Sequence, residues 1–228
     1  METKRLLLFD IDGTLVSTGG AGVRALQLVI EKRYGVHDDL LDVEIAGRTD
    51  SGIASSILQK YHVDPTPTNI DAFLGEYVGF LPTMLSTTDG TILPGMSEIL
   101  TRMAGKTDRV LGLLTGNLKR GAELKLQHYG LWDFFEFGAF ADDHHDRNQL
   151  GEFARTRAQE KHGHEFDAAQ IDVVGDTGHD ITCGKAFGAR TVAVATGTWP
   201  REKLSAFEPD FLFDDLSNVD EVIRTLGW

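Results

Sequence analysis

The chain has 228 residues, of which 41% are hydrophobic and 25% charged, a composition ordinary for a globular protein with one substantial core. Its formal net charge of −13 disfavours nucleic acids and anionic membranes as partners, because binding to either depends on basic surface. The single cysteine, Cys183, excludes an internal disulfide framework and is compatible with a reducing compartment. Too few apolar residues precede Asp10 for a signal peptide, and no run reaches membrane-spanning length, so we expect a cytoplasmic location.

The first predicted strand is an apolar run at residues 6–9 that ends in two carboxylates spaced one residue apart, Asp10 and Asp12. Because residues i and i+2 of an extended segment face the same side, these two side chains can converge on one point. Gly13 and Thr14 then allow the chain to turn. Such a run suits a strand buried on both faces of a parallel sheet, and ligands of such sheets bind beyond the carboxyl ends of the strands. Taken alone, the motif fits a polar turn or a fragment of a calcium loop equally well.

Residues 18–91 contain helix-period stretches and lack strand-like runs, which predicts a helical insertion. Segments rich in glycine, serine and threonine flank the insertion on both sides, which predicts two hinges. We therefore predict an α-helical cap domain at 18–91 and an α/β core domain formed by 1–17 and 92–228.

Gly47 and Arg48 stand out within the predicted cap, in a turn that leads into a helix near Ser51. Gly47 would let the backbone approach a substrate closely, and Arg48 could bind an anionic leaving group such as a carboxylate through a bidentate contact. In the alternative interpretation, Arg48 pairs with Asp50 or Asp42 on a solvated face. Both interpretations stay open on the sequence alone.

Two later apolar runs, beginning at residues 110 and 171, end in polar groups as the first one does. The residues that follow them are Thr115, Gly116, Asn117, Asp176 and, one helical turn further on, Asp180. Short runs at 191–195 and 211–213 predict two more strands. Strands that alternate with helix patterns predict an α/β fold with a doubly wound parallel sheet and helices on both faces.

These motifs, in this order, resemble those of the haloacid dehalogenase superfamily, and within it the phosphoglycolate-phosphatase-like hydrolases with a helical cap. The resemblance implies a Rossmann-like core with an inserted cap. The third motif departs from the family pattern, which is a lysine followed by proline, because no such pair occurs in this sequence. Arg147 stands at the expected distance before the next predicted helix, whereas Lys161 lies too far along. We take Arg147 as the replacement, since a guanidinium keeps the positive charge and adds a planar fork suited to oxyanions.

The resemblance also implies a mechanism that fits the chemistry of these residues. Asp10 would attack phosphorus to form an aspartyl-phosphate, and Asp12 would protonate the leaving oxygen and later deprotonate the hydrolytic water. Mg²⁺ would be held by Asp10, the backbone carbonyl of Asp12 and Asp176, since it prefers oxygen ligands. Thr115 and Arg147 would stabilise the transferring phosphoryl group. The remaining expected contributors are Gly13, Thr14, Gly116 and Asn117 at the phosphate, and Asp180, which would orient Arg147 or a metal-bound water.

The sequence therefore predicts a magnesium-dependent phosphatase acting on a small-molecule phosphate monoester, with phosphoglycolate as the guess that the resemblance suggests. A dehalogenase is disfavoured because in this family it lacks the carboxylate that Asp12 supplies. A phosphonatase would need a cap lysine that forms a Schiff base, and neither Lys32 nor Lys60 has a distinguishing context. A sugar phosphomutase and a catalytically weak binding or regulatory protein stay open as alternatives. The sequence gives no indication of the oligomeric state.

Overall fold

The computed structural model describes residues 4–228. Within that range the strands are β1 (Arg5–Phe9), β2 (Val16–Ser17), β3 (Thr91–Ile92), β4 (Arg109–Leu114), β5 (Gly138–Ala139), β6 (Ile171–Gly175), β7 (Arg190–Val194) and β8 (Phe211–Phe213). The α-helices are α1 (Ala21–Tyr34), α2 (Asp50–Lys60), α3 (Pro67–Thr87), α4 (Met96–Ala104), α5 (Lys119–His128), α6 (Leu150–His162), α7 (Gly178–Ala186), α8 (Arg201–Ser205) and α9 (Val219–Leu226).

Six of the strands form one parallel sheet in the order β5-β4-β1-β6-β7-β8. The strand order runs outward from β1 in both directions, so the segments that follow β1, β4 and β6 meet at the centre of one sheet edge. Such a switch point is where open α/β sheets bind ligands. The predicted doubly wound parallel sheet is confirmed.

Strand β1 forms the centre of the sheet because its side chains are apolar on both faces. Leu6, Leu7, Leu8 and Phe9 are all 0% exposed. Leu7 and Phe9 pack with apolar residues of α4, α5 and α9, whereas Leu6 and Leu8 pack with those of α6 and α7. Helices thus cover both faces of the sheet, and the strand holds the residues that follow it in a fixed position.

Helices α1, α2 and α3 share an apolar core of their own, built from buried residues of the insertion. The ends of two helices are set by local capping: Thr49 Oγ1 accepts a hydrogen bond from Gly52 N in α2, and Thr66 precedes Pro67 at the start of α3. Strands β2 and β3 pair antiparallel where the chain leaves and re-enters the sheet region. These features support the predicted cap and core, whose boundaries stay a prediction.

No helix in residues 4–228 combines the length and the apolar character needed to cross a membrane.

Candidate active site

Three neighbouring strands deliver the centre of the site. Asp10 follows β1, Thr115 follows β4 and Asp176 follows β6, and each of these side chains is almost completely buried. Asp10 is anchored by its backbone, whose N–H donates to the carbonyl of Val174 at 3.0 Å. Burial raises the pKa of Asp10 to about 6, against the opposing effect of the Arg147 guanidinium. The carboxylate is thus held in a dry site beside a permanent positive charge.

Asp12 lies at the mouth of this site, with 40% of its side chain exposed. Its Oδ2 accepts hydrogen bonds from Asn117 Nδ2 at 2.9 Å and from Lys125 Nζ at 2.5 Å. The Asn117 amide also donates to Thr115 Oγ1 at 2.9 Å, which ties the residues after β4 to the loop after β1. Asp10 and Asp12 therefore occupy different environments, one buried and one open to solvent, which favour different protonation behaviour of the two carboxyl groups.

Arg147 reaches Asp10 from a short 3₁₀ turn, Arg147–Gln149, which Asp146 caps by accepting a hydrogen bond from the backbone N–H of Asn148 at 3.0 Å. Its Nη2 lies 3.0 Å from Asp10 Oδ1 and also pairs with Asp180 Oδ1. Its Nη1 donates to the backbone carbonyl of Gly47 at 2.8 Å. Burial lowers the pKa of Arg147, but Asp180 and Asp10 outweigh it and raise the pKa above its ordinary range. The guanidinium therefore remains charged and connects Asp10 to the predicted cap.

Asp180 is held for this contact by the first turn of α7. Its Oδ2 accepts from Thr177 N at 3.0 Å and from Thr177 Oγ1 at 2.7 Å, and the bond from Thr177 N is half of the capping box that begins α7. The other oxygen, Oδ1, is left for Arg147. Of the two partners expected for Asp180, Arg147 is the one that the structure brings into contact.

Asp10 belongs to an acidic cluster suited to a divalent cation. One carboxylate oxygen from each of Asp10, Asp176 and Asp180 lies within 4.8 Å of the others, and Arg147 is the cation paired with the cluster. Burial, together with the charges of Asp180 and Asp10, raises the pKa of Asp176 well above its usual value. Asp10 Oδ1 is buried and has no well-aligned hydrogen-bond donor in residues 4–228. Buried oxygen ligands with excess negative charge are the environment that hard cations such as Mg²⁺ prefer.

The loop after Asp12 packs tightly against this cluster. Gly13 has a φ of +79°, and a Cβ there would lie 2.4 Å from Asp176 Oδ2, so only glycine fits. Thr14 is 2% exposed, and its Oγ1 donates to Asp176 Oδ1 at 3.4 Å. The Gly116 carbonyl accepts from Asp50 N at 2.7 Å, and the contribution of Gly116 at the phosphate stays a prediction. A Cβ on Gly116 would lie 2.2 Å from the carbonyl oxygen of Arg48.

The predicted specificity residues lie where the insertion meets the sheet. Gly47 has a φ of +76°, and a Cβ there would lie 2.4 Å from Thr177 Oγ1, so its close approach is to the protein itself. Arg48 Nη1 donates to Glu44 Oε2 at 3.1 Å, and 42% of its side chain is exposed. Neither partner named in the alternative interpretation is correct, because Asp50 accepts from Leu118 N and Asp42 pairs with Lys60. A role of Gly47 and Arg48 in substrate selection stays a prediction.

A cavity of about 460 Å³ opens over Asp10 and Asp12. The insertion supplies an apolar wall and a tyrosine, and the sheet side supplies the charged floor. Lining residues from the insertion include Val23, Leu26, Ile45, Ala46, Arg48, Asp50, Ile53 and Tyr77; those from the sheet side include Asn117, Lys125, Arg147 and Asp176. The volume suits a small molecule, with its reacting end on the floor.

A model of the family described as "Haloacid dehalogenase-like hydrolase" matches residues 7–194. The chain belongs to the haloacid dehalogenase-like hydrolases. The "Probable phosphatase IndB" of Dickeya dadantii (strain 3937) is 27% identical over 95% of this chain and 92% of its own length. "Pyrophosphatase PpaX" of Bacillus pumilus (strain SAFR-032) is 25% identical over 97% of each chain. The solved structure of CbbY from Rhodobacter sphaeroides in complex with phosphate shares the fold, with a TM-score of 0.75 and 17% identity over 95% of this chain and 96% of that one.

Membership of the haloacid dehalogenase-like hydrolases confirms the resemblance that the sequence motifs indicated. The expected enzyme class, a phosphatase of this family, is confirmed as well. The structure brings Asp10, Asp12, Arg147 and Asp176 to one cavity, and Thr115 lies buried directly after β4, the strand next to β1. The individual roles of these residues stay predictions.

Sequence reasoning missed Lys125 and Asp50, two ionisable residues beside the site, of which Lys125 is buried and Asp50 half-buried. Lys125 is 3% exposed, although it lies in a helix whose sequence is mostly polar. Its spacing of four residues from Gly121, which faces inward, was the available signal. Asp50 was considered only as a partner of Arg48. In the structure its Oδ2 accepts from Leu118 N at 2.7 Å, across the contact between insertion and sheet.

Proposed function

We propose that this chain is a magnesium-dependent phosphatase that hydrolyses a small-molecule phosphate monoester through an aspartyl-phosphate on Asp10. The observation that supports it most strongly is the environment of Asp10 Oδ1. This oxygen is buried, lies 3.0 Å from Arg147 Nη2 and has no well-aligned hydrogen-bond donor in the described chain. A carboxylate oxygen left without such a donor in a charged cavity is poised to react.

Asp10 would act first, as the nucleophile. A bond forms between its carboxylate oxygen and phosphorus while the ester P–O bond breaks, and Asp12 gives a proton to the departing oxygen. Water then attacks phosphorus, Asp12 accepts a proton from that water, and the bond between phosphorus and Asp10 breaks. Inorganic phosphate and the unmodified aspartate result, so Asp12 ends the cycle in its starting state.

Positive charge is needed because the substrate carries about two negative charges at neutral pH and Asp10 carries another. Arg147 supplies a fixed cation at Asp10, and Asp180 holds it there. Asp10, Asp176 and the backbone carbonyl of Asp12 would hold Mg²⁺, which supplies further positive charge when it is bound. Thr115 and Asn117, at the end of β4, would bind the equatorial oxygens of the phosphoryl group.

Phosphoglycolate or a similarly small phosphate ester fits the cavity of about 460 Å³. Selection of the leaving group would fall to the wall formed by the insertion, since the floor binds only the phosphoryl group. We also propose a cytoplasmic location, which the buried free thiol of Cys183 supports.

Phosphate release from a panel of esters tests this proposal. The panel holds the four esters p-nitrophenyl phosphate, phosphoglycolate, glycerol 3-phosphate and glucose 1-phosphate, together with the anhydride pyrophosphate. Each compound is assayed with Mg²⁺ and with excess chelator. We expect release that requires Mg²⁺ and that Asp10→Asn abolishes. Conversion of glucose 1-phosphate to its isomer without release of phosphate would instead identify a phosphomutase. No reaction with any ester would favour a binding protein.

A further inference from the structure

Lys125 is a buried cation that the proposed reaction does not yet use. It projects from α5 toward the cavity floor, where its Nζ donates to Asp12 Oδ2 at 2.5 Å and also to Asn117 Oδ1. Only 4% of its side chain is exposed. Burial lowers the pKa of Lys125, but Asp12, Tyr77 and Asp50 outweigh it and raise the pKa above its ordinary value, so the ammonium stays charged.

The position of Lys125 is shared between the core and the insertion. From the insertion, Asp50 places a half-buried carboxylate near the ammonium, and loss of hydration raises the pKa of Asp50 to about 6 although Lys125 opposes this. Tyr77, also from the insertion, lines the same cavity as Lys125. On the core side, Asp12 and Asn117 accept its hydrogen bonds.

The two oxygens of Asp12 have different surroundings. Oδ2 accepts from both Lys125 Nζ and Asn117 Nδ2, at 2.5 Å and 2.9 Å. Within residues 4–228, no hydrogen bond is made to Oδ1, and the side chain is partly exposed to the cavity. Two donors on one oxygen fix the plane of the carboxyl group and leave the other oxygen available for proton transfer.

We propose that Lys125 is a positioning residue that holds Asp12 by Oδ2 so that Oδ1 exchanges the proton with the leaving oxygen. The proposal rests on the proposed phosphatase function. In the first half-reaction the proton passes from Asp12 Oδ1 to the ester oxygen as the P–O bond breaks. Lys125 keeps its own protons throughout.

Stability of the fold is a poor explanation for this arrangement. A buried ion pair loses hydration that its attraction regains only in part, and well-packed apolar residues often serve a fold equally well. The buried position of Lys125 is therefore better explained by its effect on the orientation of Asp12 than by a contribution to the stability of the fold. A general acid contributes about 10²- to 10⁴-fold to a rate, which bounds what its orientation can control.

The test compares Lys125→Met with the wild-type enzyme on two esters. p-Nitrophenolate leaves without a proton, whereas the alkoxide of glycerol 3-phosphate requires one, so only the second ester depends on a general acid. The quantity measured is kcat/KM, because it covers the reaction only through departure of the leaving group. We expect the ratio of kcat/KM for the alkyl ester over the aryl ester to fall at least tenfold in Lys125→Met, within the range general acids supply.

Two further variants separate positioning from structural support. Lys119→Met removes an exposed lysine from the same helix and should leave the ratio at its wild-type value. In an Asp12→Asn background, Lys125→Met should cause no further loss with the alkyl ester, because residues that act through one another are not additive. If Lys125→Met does not fold by circular dichroism, Lys125→Gln removes the charge while keeping a donor, and the same ratio is measured.

An equal loss of kcat/KM on both esters, or additive losses in the double variant, would overturn the positioning role. These results are distinct from failure of the proposed function. That failure would appear as wild-type enzyme that releases no phosphate, or as Asp10→Asn that still releases it, and it would remove both proposals together.

Discussion

Arg147→Lys installs the residue that the family pattern usually has at this position, and the structure predicts a loss. The guanidinium uses two nitrogen atoms for different contacts. Nη2 pairs with Asp10 and Asp180, and Nη1 donates to the Gly47 carbonyl at 2.8 Å. The lysine side chain is shorter and ends in a single nitrogen, so it keeps the positive charge beside Asp10 but cannot also donate to the Gly47 carbonyl. The contact between the insertion and the nucleophile is therefore the one that is lost.

The size of the loss follows from that one hydrogen bond. A hydrogen bond made by a charged group contributes about 1.5–3 kcal/mol, which corresponds to about 10- to 150-fold. Because the contact joins the insertion to the site, we expect its loss to lower kcat/KM by up to this factor. Arg147→Met also removes the charge and should lose about 10²- to 10³-fold in kcat.

The assay is phosphate release across a range of substrate concentrations, with thermal unfolding measured in parallel. Arg157→Lys is a matched control, because Arg157 makes a bidentate pair with Asp143 and also donates to the Gly138 carbonyl, away from the cavity over Asp10. We expect this control to lower stability while leaving kcat/KM near the wild-type value. Wild-type or higher kcat/KM in Arg147→Lys would refute the reasoning.

Three further predictions follow from burial and backbone geometry. Gly13→Ala should lower kcat at least tenfold and reduce stability by about 1–3 kcal/mol, because the new Cβ would lie 2.4 Å from Asp176 Oδ2 and φ is positive. Steady-state kinetics and denaturant unfolding measure the two effects. A wild-type kcat would contradict the tight packing of Gly13 against Asp176. Phe9→Ala should cost about 3–5 kcal/mol in urea unfolding, since Phe9 is 0% exposed, and a loss below 1 kcal/mol would contradict its central place. The pKa of Asp50 is raised by burial to about 6 from 3.8, so the protonated carboxyl makes a contribution to stability that is present below pH 4 and lost as the pH rises to 6. The free energy of unfolding should therefore fall less steeply between pH 4 and 6 in Asp50→Asn than in the wild type, by about 3 kcal/mol at most. Equal slopes in the two proteins would refute this.

The convergence of the site on one sheet edge was predictable from the sequence. Apolar runs that end in Asp10, Thr115 and Asp176 place these residues after neighbouring strands, because parallel strands share one carboxyl edge. Arg147 was found by its distance along the chain from the next helix. The prediction worked where local pattern and sheet geometry determine position.

Contacts between the insertion and the sheet were not predictable in the same way. The hydrogen bond from Leu118 N to Asp50 depends on how the insertion meets the sheet region, and the pairing of Arg48 with Glu44 depends on the fold of the turn between them. The burial of Lys125 was not predictable, since a lysine in a mostly polar helix is typical of a solvated surface. Strand β5 has two residues, too few to produce an alternating or apolar pattern.

The most direct test of the account is a search for phosphate covalently bound to Asp10. Enzyme mixed with p-nitrophenyl phosphate and Mg²⁺ is quenched in acid within milliseconds, digested and mapped by mass spectrometry. We predict one phosphoryl group on the peptide that contains Asp10 and none on the same peptide from Asp10→Asn. A phosphoryl group on another residue, or undiminished phosphate release by Asp10→Asn, would contradict the central claim.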